Sequence, residues 1–368
     1  MHGPPLHALP TPPAHPTKGR VAEAIAGPGC RKSLPWALAL ALGLVVGCDR
    51  RESGPGRVVL YTSLNEPTAR PVIDAFEART GIRVDLRSDT ERDKTVGLVQ
   101  TLLAERGRPR ADVFWNSETA QTIRLKQEGI LEAFDPPPAT AARIPAHYRD
   151  SENVWFGFAA RARVLIVNTN LVRPDEMPTS IHDLVDPRWR GRAALVRPVT
   201  GTTLTHLTAL FETLGESAAN AFLDGVRDNE CALPPGNGRL AQLVGLGQIH
   251  FGLTDSSDYR LVRAEGHPVT AVYPDQQGIG TLVIPNTVAL IRGGPHPVEA
   301  RRLIEFLLSD EAETLLARHT RGHIPLKPGI IRPADVLVPG EFKTMEVDFD
   351  VVGARIADRL RELDARFP

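Results

Sequence analysis

The sequence predicts an α/β fold in two lobes, with a parallel sheet at the heart of the first. Three observations carry this expectation. From Arg57 onward, β-branched runs alternate with amphipathic stretches of helix length, the pattern of a parallel sheet with crossover helices. The Pro-rich stretch 174–187 interrupts that alternation, and a less regular set of strands and helices follows it. The 368 residues, 42% of them apolar, suffice for two lobes of ordinary size.

The elements follow in order. "RVVLYTSLNEP" (57–67) reads as a β-branched strand ending in polar residues. Pro71 suits the first turn of a helix over "PVIDAFEARTG", and Gly81 closes it. "IRVDLRSD" supplies a second strand, "KTVGLVQTLLAERG" a second helix and "ADVFW" a third strand. "FGFAARARVLIVNTN" (156–170) is a strand that leads toward the second lobe. There the expected order is strand "AALVRP", turn "VTGTT", helices "LTHLTALFETLG" and "SAANAFLDGVRDN", helix "NGRLAQLVGLGQ" and strand "IHFGLTDSSD". "GTLVIPNTVALIRGG" (280–294) is a further β segment. The region 296–319 is amphipathic and helical, with Leu303, Phe306, Leu307, Leu315 and Leu316 on its apolar side. No repeat of fixed period is present.

The first 48 residues have a different character. Arg31-Lys32 precedes the apolar run 34–46, which ends at Gly47-Cys48. The run is too short to span a bilayer but has the flanks of an export signal. "VVGC" (45–48) resembles a bacterial lipobox, which makes Cys48 the expected lipidated first residue of the mature chain; a plain signal peptide with an incidental Cys is the alternative. The long leader before it leaves Val21 as a second candidate start. Loss of Lys18, Arg20, Arg31, Lys32 and Glu23 takes the net charge from −1 to about −4. Of the three cysteines, only Cys231 then remains beside Cys48, so no intramolecular disulfide is expected, and Cys231 reads as a buried small apolar residue. Charges nearly cancel and no long basic run appears in the body of the chain, so nucleic acid is not an expected partner.

Ligands of open α/β sheets sit at the carboxyl ends of the strands. This places Ser63, Asn65, Glu66, Asn116, Ser117 and Glu118 on one edge, expected to face a cleft. Arg161 and Arg163 alternate on a strand, so both point to one face, toward an anion in the cleft or an ion pair. "VTGTT" before an apolar helix offers N–H groups and hydroxyls at a positive helix end, an anion site or an ordinary Thr cap.

The chain resembles the type 2 periplasmic substrate-binding proteins of ABC importers, particularly their ferric-iron-binding branch. The resemblance runs from about Arg57 to Ile331 and is carried by the order of "VVLYTSLNEPTARPVIDAFEARTGIRVDL", "ADVFWNSE", "LKQEGILEAF", "RARVLIVNT", "DPRWRGRAALVRPVTGTT", "GQIHFGLTDSSDY" and "VIPNTVALI". It implies a two-lobed periplasmic-binding-protein fold with crossing hinge strands and no catalytic step. The implied divisions are a signal peptide with lipobox over 1–48, a linker over 49–56, and a first lobe over 57–165 that returns at 285–335. The second lobe covers 166–284, and a C-terminal segment at 336–368 packs on it. The implied site takes a metal ligand from Asn65 or Glu66, a carboxylate from Glu118, and a companion-anion turn from Thr200-Gly201-Thr202 with Asn237 as a further donor. The branch's pair of adjacent tyrosines is absent: Ser257 and Asp258 stand there, and Tyr259 comes one place later.

Ferric iron is a hard cation that takes carboxylate and phenolate oxygens. Glu66, Glu118, Asp258 and Tyr259 are thus its candidate ligands, and Asn65, Asn116, Ser117, Arg161, Thr200, Gly201, Thr202, Asn237, Asp255 and Ser257 the other candidate contacts. Glu66 and Glu118 have a competing role at helix starts, Asp255 and Asp258 as loop or cap carboxylates, and Tyr259 as a packed ring. In "HTRGH" (319–323) the two His have helical i, i+4 spacing, but the Glu of a metalloprotease box is missing and Gly322 marks a helix end. The expected function is solute capture for an importer, with ferric iron as transported ligand rather than cofactor. The expected partners are a permease and its ATPase, and the protein a periplasmic monomer held to the membrane by lipid alone. An anionic metabolite such as a phosphonate is the alternative solute. A secreted α/β hydrolase is the alternative class, disfavoured by the missing nucleophile motif.

Overall fold

The computed structural model describes residues 56–88, 96–199 and 201–367. Cys48, the export signal and Thr200 lie outside them. The elements are β1 (Arg57–Thr62), α1 (Glu66–Thr80), β2 (Arg83–Ser88), α2 (Val96–Ala104), β3 (Val113–Asn116), α3 (Ala120–Gln127), β4 (Leu131–Glu132), α4 (Pro138–Ala141) and β5 (Trp155–Asn168). The chain continues with β6 (Ala193–Leu195), α5 (Gly201–Leu214), α6 (Glu216–Asp228), α7 (Asn237–Gly245), β7 (Phe251–Asp255), α8 (Ser256–Ala264) and β8 (Val269–Val272). It ends with β9 (Val283–Ile291), α9 (Pro297–Leu307), α10 (Asp310–Arg318) and α11 (Phe349–Arg366).

The strand order is β2-β1-β3-β9-β5-β7-β6, with β4 on β9 and β8 on β5. β1 pairs in parallel with β2 and β3, as the alternation in the sequence requires, whereas β9 runs antiparallel to β3 and β5. Strand β5 divides its length between two groups of partners. Its first part pairs with β9 and its last part with β7 and β8. All 14 of its residues are buried, as expected of a strand covered on both faces. The register shifts between Phe158 and Arg161, where Ala159 adopts φ 45°. Such a bulge bends the strand and re-aims the side chains beyond it, here Arg161 and Arg163.

Helix α1 starts earlier than its sequence suggests, because Pro67 rather than Pro71 occupies the first turn. Pro71 then lies inside the helix and has no N–H for the Pro67 carbonyl. The His319 imidazole hydrogen-bonds to that backbone. Gly81 closes the helix at φ 70°, as expected. The 296–319 region is two helices rather than one: Ser309 stops α9 and caps α10 by accepting from Ala312 N at 3.2 Å. Cys231 is a buried free thiol that donates to the Leu184 carbonyl, and burial pushes its pKa up to about 12.

Helix α11 packs against both α3 and α5. Its polar bonds run to the second of these neighbourhoods: Arg359 pairs with Glu216 and lies 3.6 Å from the Phe211 ring centre, and Arg366 binds Asn220 and Asp224. Against α3 the contact is close and apolar. A Cβ at Gly353 would collide with the Ile123 side chain and lie 3.2 Å from the Ala120 carbonyl. Gly353→Ala is therefore expected to lower the unfolding free energy by about 1–3 kcal/mol, read as an earlier urea midpoint; an unchanged midpoint would show that α11 can shift at no cost.

Candidate functional site

Eight segments converge where β5 crosses between its partners. They form a small cleft of about 40 Å³ lined by Leu64, Asn65, Thr68, Ser117, Arg161, Val196, Gly201, Thr202, Pro235, Gly236, Asn237, Asp255, Ser257, Asp258, Arg321 and His323. Its own side chains nearly fill it, leaving room for a few water-sized groups.

One wall is a buried charged network. Arg163 is fully buried, and its Nη1 donates to Asp255 Oδ1 at 2.7 Å, Asn237 Oδ1 at 3.0 Å and Thr202 Oγ1 at 3.1 Å, while Nη2 reaches Thr203 Oγ1 at 3.1 Å. Thr202 Oγ1 lies 2.9 Å from both Asp255 oxygens, and Asn237 Nδ2 lies 3.3 Å from Oδ2. Burial works to raise the Asp255 pKa, but the Arg163 and Arg161 guanidiniums outweigh it and hold the carboxyl below its ordinary value. Behind this wall, burial and then Arg163 push His206 down to about 3, so its ring stays neutral.

Arg161 differs from its neighbour. It is 6% exposed, and its Nε and Nη2 make no hydrogen bond among the described residues. Its nearest carboxylate oxygen, Asp255 Oδ2, is 3.7 Å from Nε and already holds other donors. Burial lowers its pKa and Asp255 opposes the shift. Two donor-rich helix starts flank the same space, Gly201-Thr202 of α5 and Gly236-Asn237 of α7. Asp258 pairs with Arg321 Nη1 at 2.5 Å. Two lining guanidiniums, Arg161 and Arg321, thus face two lining carboxylates, Asp255 and Asp258, with the buried Arg163 behind them.

The polar cluster after β3 behaves differently from the strand-end expectation. Ser117 lines the cleft, with its N–H and Oγ held by Ser63 Oγ at 2.7 and 2.9 Å. Asn116 and Glu118 are fully buried and point elsewhere. Glu118 accepts from Ala120 N at 2.7 Å, Gln121 N at 3.0 Å, Asn116 Nδ2 at 2.9 Å and Thr205 Oγ1 at 2.8 Å. It caps α3 and ties it to α5, and burial raises its pKa against the pull of those bonds. Asn116 also donates to Thr122 and accepts from Ser63.

Of the four candidate metal ligands, only Asp258 lines the cleft. Glu66 is exposed in the first turn of α1 and pairs with Arg70 at 2.6 Å. Tyr259 is buried on α8, where its hydroxyl accepts from Arg263 Nη1 at 3.0 Å. Among the described residues, no group of three or more His, Cys, Asp or Glu side chains is arranged to hold a metal ion. Asn65, Arg161, Gly201, Thr202, Asn237, Asp255 and Ser257 are brought together as expected of contacts around one space.

Arg321 and His323 are the ionisable lining residues that strand-end reasoning missed, because they follow a helix rather than a strand. Helix α10 stops at Arg318, so His319 and His323 do not share a helical face. Gly322, at φ 55°, was the signal that the chain turns there and carries its neighbours into the cleft.

A donor-lined space between two α/β halves joined by a crossing strand is the architecture of a two-lobed solute-binding protein. The model of the bacterial extracellular solute-binding protein family matches residues 110–341, and the chain belongs to that family. It is 28% identical to iron uptake protein A1 of Synechocystis sp. over 81% of this chain and 83% of that one. Iron-bound HitA of Pseudomonas aeruginosa superimposes with a TM-score of 0.76 at 25% identity, covering 84% of this chain and 99% of HitA. A putative 2-aminoethylphosphonate-binding periplasmic protein of Salmonella typhimurium is 28% identical over 71% of this chain and 74% of its own. The fold is that of the type 2 periplasmic binding proteins.

Proposed function

We propose that this protein is the solute-receiving component of an ABC importer outside the cytoplasm, and that its solute is ferric iron carried with a companion anion. The iron relatives support the metal. The observation that carries the anion is Arg161, a buried guanidinium with unused N–H groups between two helix starts. A bare trivalent cation would be repelled by that wall, whereas a complex with anionic oxygens on its surface would satisfy it. Asp258 is the cleft carboxylate placed to reach the metal, once Arg321 turns away from it. No step of bond making or breaking is assigned to the protein. It acts as a monomer in the periplasm and delivers the solute to a permease driven by its ATPase. Among the described residues no helix is long and apolar enough to cross a membrane; lipid on Cys48 is the proposed tether.

A metal-free organic anion, such as a phosphonate or phosphate ester, is the second reading. It is favoured by the unused N–H groups of Arg161 and by the dispersal of Glu66, Glu118 and Tyr259. Metal analysis and mass spectrometry of the purified mature protein separate the two. Stoichiometric iron together with an anion is the expected result. A bound organic anion without metal would replace the first reading by the second.

A further inference from the structure

The cleft has an outer room. A second, more open hollow of about 270 Å³ is lined by Asn65, Gly238, Arg239, Gln242, Asp258, Leu261, Val262, Glu265 and Arg321. Three of these residues, Asn65, Asp258 and Arg321, also line the inner cleft. The two spaces therefore share a threshold, and the Arg321–Asp258 pair stands on it, with side chains 17% and 11% exposed. Beyond it, α7 contributes Arg239 and Gln242, while α8 contributes Leu261 and is followed by Glu265. Donors and acceptors of both signs line that outer room.

We infer that the anion is elongated, with its oxyanion head on Arg161 in the inner cleft and a polar tail passing Arg321 and Asp258 into the hollow between α7 and α8. The inner space of about 40 Å³ accepts an oxyanion head and little more. The wall shared with the larger space is Asn65 and the threshold pair, whose charges can each bind a tail group that slips between them. Arg239 and Glu265 then recognise a tail that carries hydroxyl, amino or further carboxyl groups. A spherical anion such as phosphate would leave this outer surface unused. The chemical class is an organic oxyanion with a hydrogen-bonding tail, taken alone or as a ferric complex. This inference rests on the proposal that the cleft is the solute site.

Titration calorimetry on the whole mature protein tests it, with inorganic phosphate, citrate and glycerol 3-phosphate as probes, each with and without ferric iron. At least one elongated probe is expected to bind roughly tenfold or more tightly than phosphate. Gln242→Trp, which fills the outer hollow from an exposed helix position, is expected to remove that advantage while leaving phosphate affinity and the melting temperature unchanged. Arg239→Gln, a smaller change, should reduce the advantage in part. Equal affinities for phosphate and both elongated probes would overturn the inference and leave the cleft as the solute site. An advantage that survives both substitutions would overturn it in the same way. Failure of every probe to bind would overturn the inference together with the function on which it rests.

Discussion

Replacing Arg163 with Met is expected to lower the unfolding free energy by about 3–5 kcal/mol, the cost of leaving a buried carboxylate without its partner. Arg163 gives Asp255 its shortest ion-pair contact, 2.7 Å, and binds Thr202, Thr203 and Asn237 at the same time. Arg161 cannot replace it, since its Nε stays 3.7 Å from Asp255. Without Arg163, Asp255 must take a proton or draw in water. Because the folded-state pKa of Asp255 lies below its ordinary value, the native pair contributes stability above the unfolded carboxyl pKa, and this is lost as pH falls through the folded value. The Met variant should lose that acid sensitivity as well as the stability. Adding Asp255→Asn should recover much of the loss, since no charge is then stranded. Urea unfolding at neutral and acidic pH reads all three effects. A single substitution that costs under about 1 kcal/mol would mean that the network is solvated rather than closed.

Arg161→Gln is expected to do the opposite: weaken solute binding strongly and leave stability unchanged or higher. The side chain brings a charge into the interior and makes few bonds there in return. Removing it relieves desolvation in the solute-free protein. In the bound state the same substitution deletes charged hydrogen bonds worth about 1.5–3 kcal/mol, a loss of roughly ten- to a hundredfold in affinity. Arg161→Lys keeps the charge but not the two-pronged geometry, so it should fall between wild type and Gln. Calorimetry with the solute that co-purifies, beside a urea titration, separates affinity from stability. If affinity for that solute changes by less than about threefold, the anion seat lies elsewhere.

The two arginines show what was legible in the sequence and what was not. Their alternation in "RARVLIV" placed both on one face of a crossing strand, and the structure has them both beside Asp255. Which of them is spent on the interior depends on where Thr203 and Asn237 arrive, and no local pattern encodes that. The alternating strands and helices gave the fold because period and turn chemistry are local properties. The fate of Asn116 and Glu118 was hidden for the converse reason. A polar cluster at a strand end looks the same whether it faces solute or caps the next helix, and only the neighbouring Thr205 from a distant helix decides. Arg321 escaped because strand-end logic has no place for a residue beyond a helix.

Helix α11 fixes where the molecule can yield. Its directional bonds go to α5, α6 and the segment after β6: those of Arg359 to Glu216 and Phe211, of Arg366 to Asn220 and Asp224, and of Asp364 to Arg197. Toward α3 it presents the bare backbone of Gly353 against Ile123. Apolar surfaces can slide over one another without breaking directional bonds, whereas paired charges resist displacement. A motion that parts the loop after β3 from α5 would carry α11 as freight with α5 and α6, and the α3–α11 seam would serve as its bearing.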